Sequence, residues 1–179
     1  MKKLLGILLV SISFSSFSQL YIAKAGETGF YSDTPLENIA ALNKQVTAAI
    51  KVETGDVAVK MQMTQFQFPN KLMQEHFNEN YMESSKYPTG TFTGKIQEKI
   101  DFKKDGIYDV TAKGIFTIHG VKQDRTIAGK LTVQGSTLTL VSNFNVKLTD
   151  HKIDVPSIVI VKIAETISVK NTFVFEIQK

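Results

Sequence analysis

Along most of the chain, apolar and polar residues alternate one for one. "IYDVTAKGIFTI" places Tyr108, Val110, Ala112, Phe116 and Ile118 on one face, and Asp109, Thr111, Lys113 and Thr117 on the other. "TLTLVSNFNVKL" does the same with Leu138, Leu140, Phe144, Val146 and Leu148. Phe92 and Ile96 in "TGTFTGKIQEKIDF", and Val169, Phe173, Phe175 and Ile177 in "ISVKNTFVFEI", follow the same rule. A period of two marks strands buried on one face. The abundance of Val, Ile, Thr and Phe agrees with that reading.

Earlier in the chain a short strand is predicted around Gly29 to Ser32. "VTAAIKVETGDVAVKMQM" reads as two strands about a turn at Thr54-Gly55-Asp56. Turn signals at Lys104-Asp105-Gly106, at Gly120 to Gln123 and at Gly135-Ser136 separate the later strands. "PSIVIVKIA", Pro156 to Ala164, has the β-branched content of a strand and the flanks of a short helical turn.

Two stretches break the alternation. "TPLE", Thr34 to Glu37, has the form of a capping box with proline at the first helical position, predicting a short helix through Leu42. "NKLMQEHFNENYMES", Asn70 to Ser84, repeats Met73, Phe77 and Tyr81 at four-residue spacing beside Leu72 and His76. With Asn70 as N-cap, it predicts an amphipathic helix of about three turns.

About eight strands joined mostly by short turns imply an antiparallel meander with one apolar face. Closing the meander into a barrel buries that face and removes the exposed edges. The predicted fold is all-β: an eight-stranded antiparallel barrel with one or two short helical insertions. An outer-membrane barrel would show lipid an apolar outside. Here the polar faces carry Lys113, Lys122, Lys130 and Lys147, which belong in water. The chain is therefore not expected to be an integral membrane protein.

The N-terminus changes the reading of charge. "MKKLLGILLVSISFSSFSQ" has a basic start, an apolar run from Leu4 to Phe14 and a small-residue site at Ser16-Phe17-Ser18. That layout predicts a signal peptide over residues 1–18, leaving residues 19–179 as one exported domain, periplasmic or extracellular. Lys2 and Lys3 belong to the leader, so the net charge falls from +4 to about +2. No basic patch with interleaved aromatics remains, so no nucleic-acid partner is expected. The chain has no cysteine, which excludes disulfides and a cysteine-anchored lipid.

Two segments resemble a known family. "LMQEHFNENYMESSKYPTGTFTGKI" is similar to a family pattern of a helix, a Tyr-Pro and a strand ending in glycine. "YDVTAKGIFTIHGVKQDRTIAGKLTV" resembles that family's hairpin around Thr-Ile-His-Gly-Val. Both are features of the YceI-like family, and the order of segments fits from about Gly26 to the C-terminus. The chain departs from the pattern at His76-Phe77-Asn78-Glu79-Asn80-Tyr81, where described members often carry Arg-Asp, His-Leu and Phe-Phe-Asp. The resemblance implies an exported lipocalin-like barrel holding a polyisoprenoid chain in its tunnel. It also implies sequestration or transfer without catalysis. The alternative is a non-catalytic interaction or stress-response module with a filled barrel.

Candidate ligand-binding residues are the inward aromatic and methionine positions. They are Met61, Met63, Phe66, Phe77 and Tyr81, together with Phe92, Tyr108, Phe116, Ile118, Phe144 and Phe173. His76, Tyr81 and Asn143 are candidates for polar contacts at one end of the tunnel. The inward small residues Gly94, Ala112 and Gly114 either leave room for a chain or let the walls close and bend. His119, at a hairpin tip, reads as a turn-holding residue, and His151, between Asp150 and Asp154, as part of a solvated loop. No catalytic motif is present: Gly-x-Ser-x-Gly, His-Glu-x-x-His and phosphate-cradling glycine loops are all missing from the sequence. No catalytic residue, metal or cofactor is expected beyond the bound isoprenoid lipid. An apolar lipid is the expected partner, with room for a homodimer.

Overall fold

In a computed structural model, which describes residues 19–155 and 163–178, eight antiparallel strands close into one barrel in sequence order. They are β1 (Leu20–Asp33), β2 (Asn38–Lys51), β3 (Asp56–Gln62), β4 (Thr89–Ile96), β5 (Gly106–Ile118), β6 (Val121–Gln134), β7 (Thr137–Lys147) and β8 (Thr166–Ile177). The inward faces are mainly apolar because they follow the period-two pattern, and β8 seals the barrel against β1. The predicted leader and most of the 156–164 segment lie outside the described residues.

One end is sealed. Tyr21, Leu131, Val133, Leu138 and Phe175 fill it, each essentially without solvent contact. Phe102 stacks on Tyr21 with ring centroids 6.4 Å apart. The other end is formed by the β1–β2 and β5–β6 turns, the 3₁₀ turn Leu148–His151 after β7, and a helical insertion between β3 and β4.

Several sequence expectations need correction. The short first strand is a 14-residue strand. Register shifts around Gly26 hide it by breaking the period. A Cβ on Gly26 would lie 2.2 Å from the Phe173 ring, so Phe173 occupies that space. No helix follows Thr34: β2 begins at Asn38. The Thr34 hydroxyl donates to the Glu37 carbonyl at 2.9 Å and accepts from the Glu37 N–H at 3.0 Å. The Thr34 hydroxyl to Glu37 N–H bond, one half of a capping box, thus closes a strand turn, and pairing with β1 and β3 overrides the helix propensity of the alanines. The 89–102 run stops as a strand at Ile96. The β5–β6 turn is tighter than 120–123. His119 (φ 50°) and Gly120 (φ 70°) alone form it, with Ile118 paired to Val121, as a two-residue hairpin requires.

Candidate functional site

The helical insertion is built as its pattern requires at the start and differently at the end. The Asn70 side chain caps helix α1 (Lys71–His76), accepting from Leu72 N–H at 2.8 Å. From Phe77 to Tyr81 the chain widens into a π-helical turn, with Met82 N–H bonded to Phe77 O. The Asn78 side chain donates to Gln74 O at 2.9 Å and accepts from the Ser84 hydroxyl at 2.8 Å, which holds that irregular turn.

This insertion lies over the open end. Phe77 reaches down among Phe30, Phe66 and Phe68, with ring centroids 5.3, 5.6 and 5.1 Å away. Beside this cluster is an apolar cavity of about 360 Å³. The helix contributes Leu72, Met73, His76, Phe77 and Tyr81 to its wall, and the barrel contributes Phe30, Ile39, Phe68, Ile118, Leu148 and Ile167. Among the described residues, Glu37 is the only acidic one lining it, and no Lys or Arg does. Burial pushes the Tyr81 phenol above its ordinary range, so it stays a neutral hydroxyl.

A second cavity, of about 60 Å³, lies inside the barrel. Met61, Phe92, Phe116, Phe144 and Phe173 line it together with Ser142 and Asn171.

Of the residues singled out from sequence, Phe77, Tyr81 and Ile118 line the mouth cavity. Met61, Phe92, Phe116, Phe144 and Phe173 line the inner one. Met63, Phe66 and Tyr108 line neither. Met63 and Phe66 are core, and the Tyr108 hydroxyl donates to Lys104 O at 2.9 Å near the sealed end. His76 stands exposed at the cavity rim. Asn143 is misplaced as an interior contact: it faces outward and accepts from the Ser168 hydroxyl at 2.9 Å. Parity along β7 carries that signal, because Ser142 and Phe144 face in.

Gly94 and Gly114 pair directly across β4 and β5. A Cβ on Gly114 would meet Thr93 O at 2.2 Å and Gly94 Cα at 2.4 Å, so these glycines draw the strands together. Sequence reasoning missed Phe30, Ile39, Leu148 and Ile167, which reach the mouth through register and connection geometry.

The histidines organise the rim. His119 Nδ1 donates to His151 O at 3.0 Å, and its ring stands edge-on to Tyr87 at 4.7 Å. Its Nε2 lies 3.4 Å from Glu83 Oε1. The His119 bond, together with Lys86, holds the Glu83 carboxyl below its usual range. His151, expected in solvent, is fully buried and packs edge-on against Phe116 at 5.4 Å. The 3₁₀ turn folds it inward. Neither ring nitrogen has a well-aligned partner, although the Val121 and Ile118 backbone lies nearby. Burial pushes His151 below the ordinary histidine value.

The turn carrying His151 also covers a gap in the wall. β6 and β7 pair only from Gly129 to Gln134. Beyond that, the Gln123 side chain donates to Asp150 O at 2.7 Å and Arg125 donates to Asn145 O. Among the described residues, no three His, Cys, Asp or Glu gather as a metal site, and no helix is long and apolar enough to cross a membrane.

A closed eight-stranded barrel with an apolar mouth under a short helix is a lipocalin-like architecture. A model of the YceI-like domain matches residues 24–175, and the chain belongs to that family. Solved structures share the fold. A polyisoprenoid binding domain from Saccharophagus degradans, implicated in plant cell wall breakdown, matches with TM-score 0.73 at 13% identity, over 90% of this chain and 99% of that one. BcnA of Burkholderia cenocepacia matches with TM-score 0.71 at 14% identity, over 83% of this chain and 95% of that one. The YceI protein of Campylobacter jejuni matches with TM-score 0.59 at 18% identity, over 99% of this chain and 94% of that one. No curated protein sequence matches the chain.

Proposed function

We propose that this protein takes one apolar chain molecule, of the polyisoprenoid class, through the open end of its barrel and sequesters or carries it outside the cytoplasm. The apolar cavity of about 360 Å³ under the helix is the observation that carries this reading. Removing apolar surface from water is worth roughly 25 cal/mol per Å², so a long chain is held with few polar contacts. The polyisoprenoid binding domain of S. degradans shares the fold and lends support. The leader motif in residues 1–18 supports export to the periplasm or beyond. The charged outward faces, including Lys113, Lys130 and Lys147, favour an aqueous surroundings over lipid. The helix over the mouth, anchored by Phe77, serves as the gate.

The role is binding, with no bond made or broken. Native mass spectrometry of the exported protein, followed by organic extraction, tests it. A stoichiometric added mass that extracts as an isoprenoid is the expected result. An empty protein that also refuses added polyprenyl lipids sinks the reading. The second reading, an interaction module with a filled barrel, is favoured by the small inner cavity and would then lead.

A further inference from the structure

Thr28, Asn171 and Ser142 stand side by side on β1, β8 and β7, in one row across the barrel interior. Their exposures are 1%, 8% and 9%. The Thr28 hydroxyl donates to Asn171 Oδ1 at 2.7 Å, and Asn171 Nδ2 donates to Ser142 Oγ at 3.1 Å. The row continues to Gly129 on β6, which pairs with Ser142 and lines the inner cavity beside it.

Two donors in this row are unspent. The Asn171 amide has two N–H donors and spends one on Ser142; the Ser142 hydroxyl accepts that bond and keeps its own proton to give. Both residues face a cavity whose other walls include Val57, Phe92 and Phe173. A buried donor without an acceptor is costly, so this cavity favours an occupant with an oxygen. The space is about 60 Å³, room for roughly four water-sized groups. Among the described residues, neither cavity is lined by Lys or Arg. A phosphate or diphosphate would arrive there without the cations that normally hold it.

We propose that Ser142 and Asn171 form an inner polar subsite for the small, uncharged, hydrogen-bond-accepting oxygen of the bound molecule. The ligand is then an apolar chain ending in a neutral group such as an alcohol, ketone, ester or amide. It enters oxygen first, and its chain runs back past Phe116 and Phe144 toward the mouth. This inference rests on the carrier reading and narrows its ligand class.

The test uses the delipidated mature protein and three probes: geranylgeraniol, geranylgeranyl diphosphate and the deoxygenated hydrocarbon of the same chain. The wild type is expected to bind the alcohol about tenfold more tightly than the hydrocarbon, and the diphosphate no better than the hydrocarbon. The double variant Ser142→Ala/Asn171→Leu, which removes every donor of the subsite, should bring alcohol affinity down to that for the hydrocarbon, while Ser142→Thr, which keeps the hydroxyl, retains the preference. Tighter binding of the diphosphate overturns the proposal. So does a preference that survives in the Ser142→Ala/Asn171→Leu double variant, which would place the oxygen at the mouth near Tyr81 or His76. Equal affinity of wild type for alcohol and hydrocarbon also overturns it, leaving the donors to water. If no probe binds, the carrier reading itself fails.

Discussion

The imidazole of His119 donates to the main-chain carbonyl of His151, 3.0 Å away and 32 residues later in the chain. One hydrogen bond thereby ties the β5–β6 hairpin tip to the turn that follows β7. Gly120 completes the contact, because Tyr87 lies where its Cβ would be, 2.6 Å from the ring.

His119→Ala should therefore loosen the rim more than an exposed turn substitution would. It removes a part-buried hydrogen bond and puts alanine at φ 50°. The expected loss is about 1–3 kcal/mol in urea unfolding. His119→Asn, which tolerates that backbone region and keeps a donor, should lose less. Equal losses for the two variants would count against the account.

Acid should weaken the fold through His151. Its folded-state value is lowered, chiefly by burial, with Arg125 adding to the effect while Asp150 and the Val121 and Ile118 backbone oppose it. The unfolded chain takes up the proton near the ordinary value of about 6.5, and the folded chain resists until a lower pH. More protons are then bound by the unfolded state across that window. Stability is full above about pH 6.5 and falls as pH drops toward the folded value. Chemical denaturation at several pH values should show this slope, and His151→Leu should flatten it. An unchanged slope in the variant would assign the acid sensitivity elsewhere.

Gly114→Val should be among the most damaging single changes. The new side chain would meet the Thr93 carbonyl and Gly94 Cα, both backbone, so β4 and β5 must separate. A loss of more than about 3 kcal/mol, or failure to fold, is expected by circular dichroism. A variant that melts within a few degrees of wild type would refute the close pairing.

Phe77→Ala should free the helix while sparing the barrel. Phe77 touches Phe30, Phe66 and Phe68 and is only partly buried, so the expected cost is about 1–3 kcal/mol. Hydrogen exchange should rise across residues 71–82, with β5 and β6 still protected. Exchange of a bound fluorescent polyene should quicken. Unchanged exchange in the helix would show that other contacts anchor it.

Much of this architecture is readable in the chain itself. Alternation sorts the inward from the outward side of β5 and β7 residue by residue, because the pleat turns successive side chains to opposite faces. The same parity separates Ser142 from Asn143. Asn70 marks the helix start because its side chain bonds a backbone N–H only two residues away. The Thr-Ile-His-Gly-Val hairpin carries the family resemblance for an equally local reason: two residues at positive φ make the turn.

Where the bonding is non-local, the sequence falls short. The Thr34 hydroxyl accepts from the Glu37 N–H as the first half of a capping box would, and only pairing with neighbouring strands makes Asn38–Lys51 a strand. A bulge at Gly26 conceals β1, since one shifted residue reverses the pattern. His151 is polar and flanked by charge, yet the 3₁₀ turn carries it under β6 and into the core. The chain by itself determined the barrel class and the facing of most strand residues, through bonds and steric rules that reach a few positions. Only tertiary structure decided that one end is packed shut and the other left open, and that Thr28, Asn171 and Ser142 meet, because register and closure join residues over a hundred positions apart.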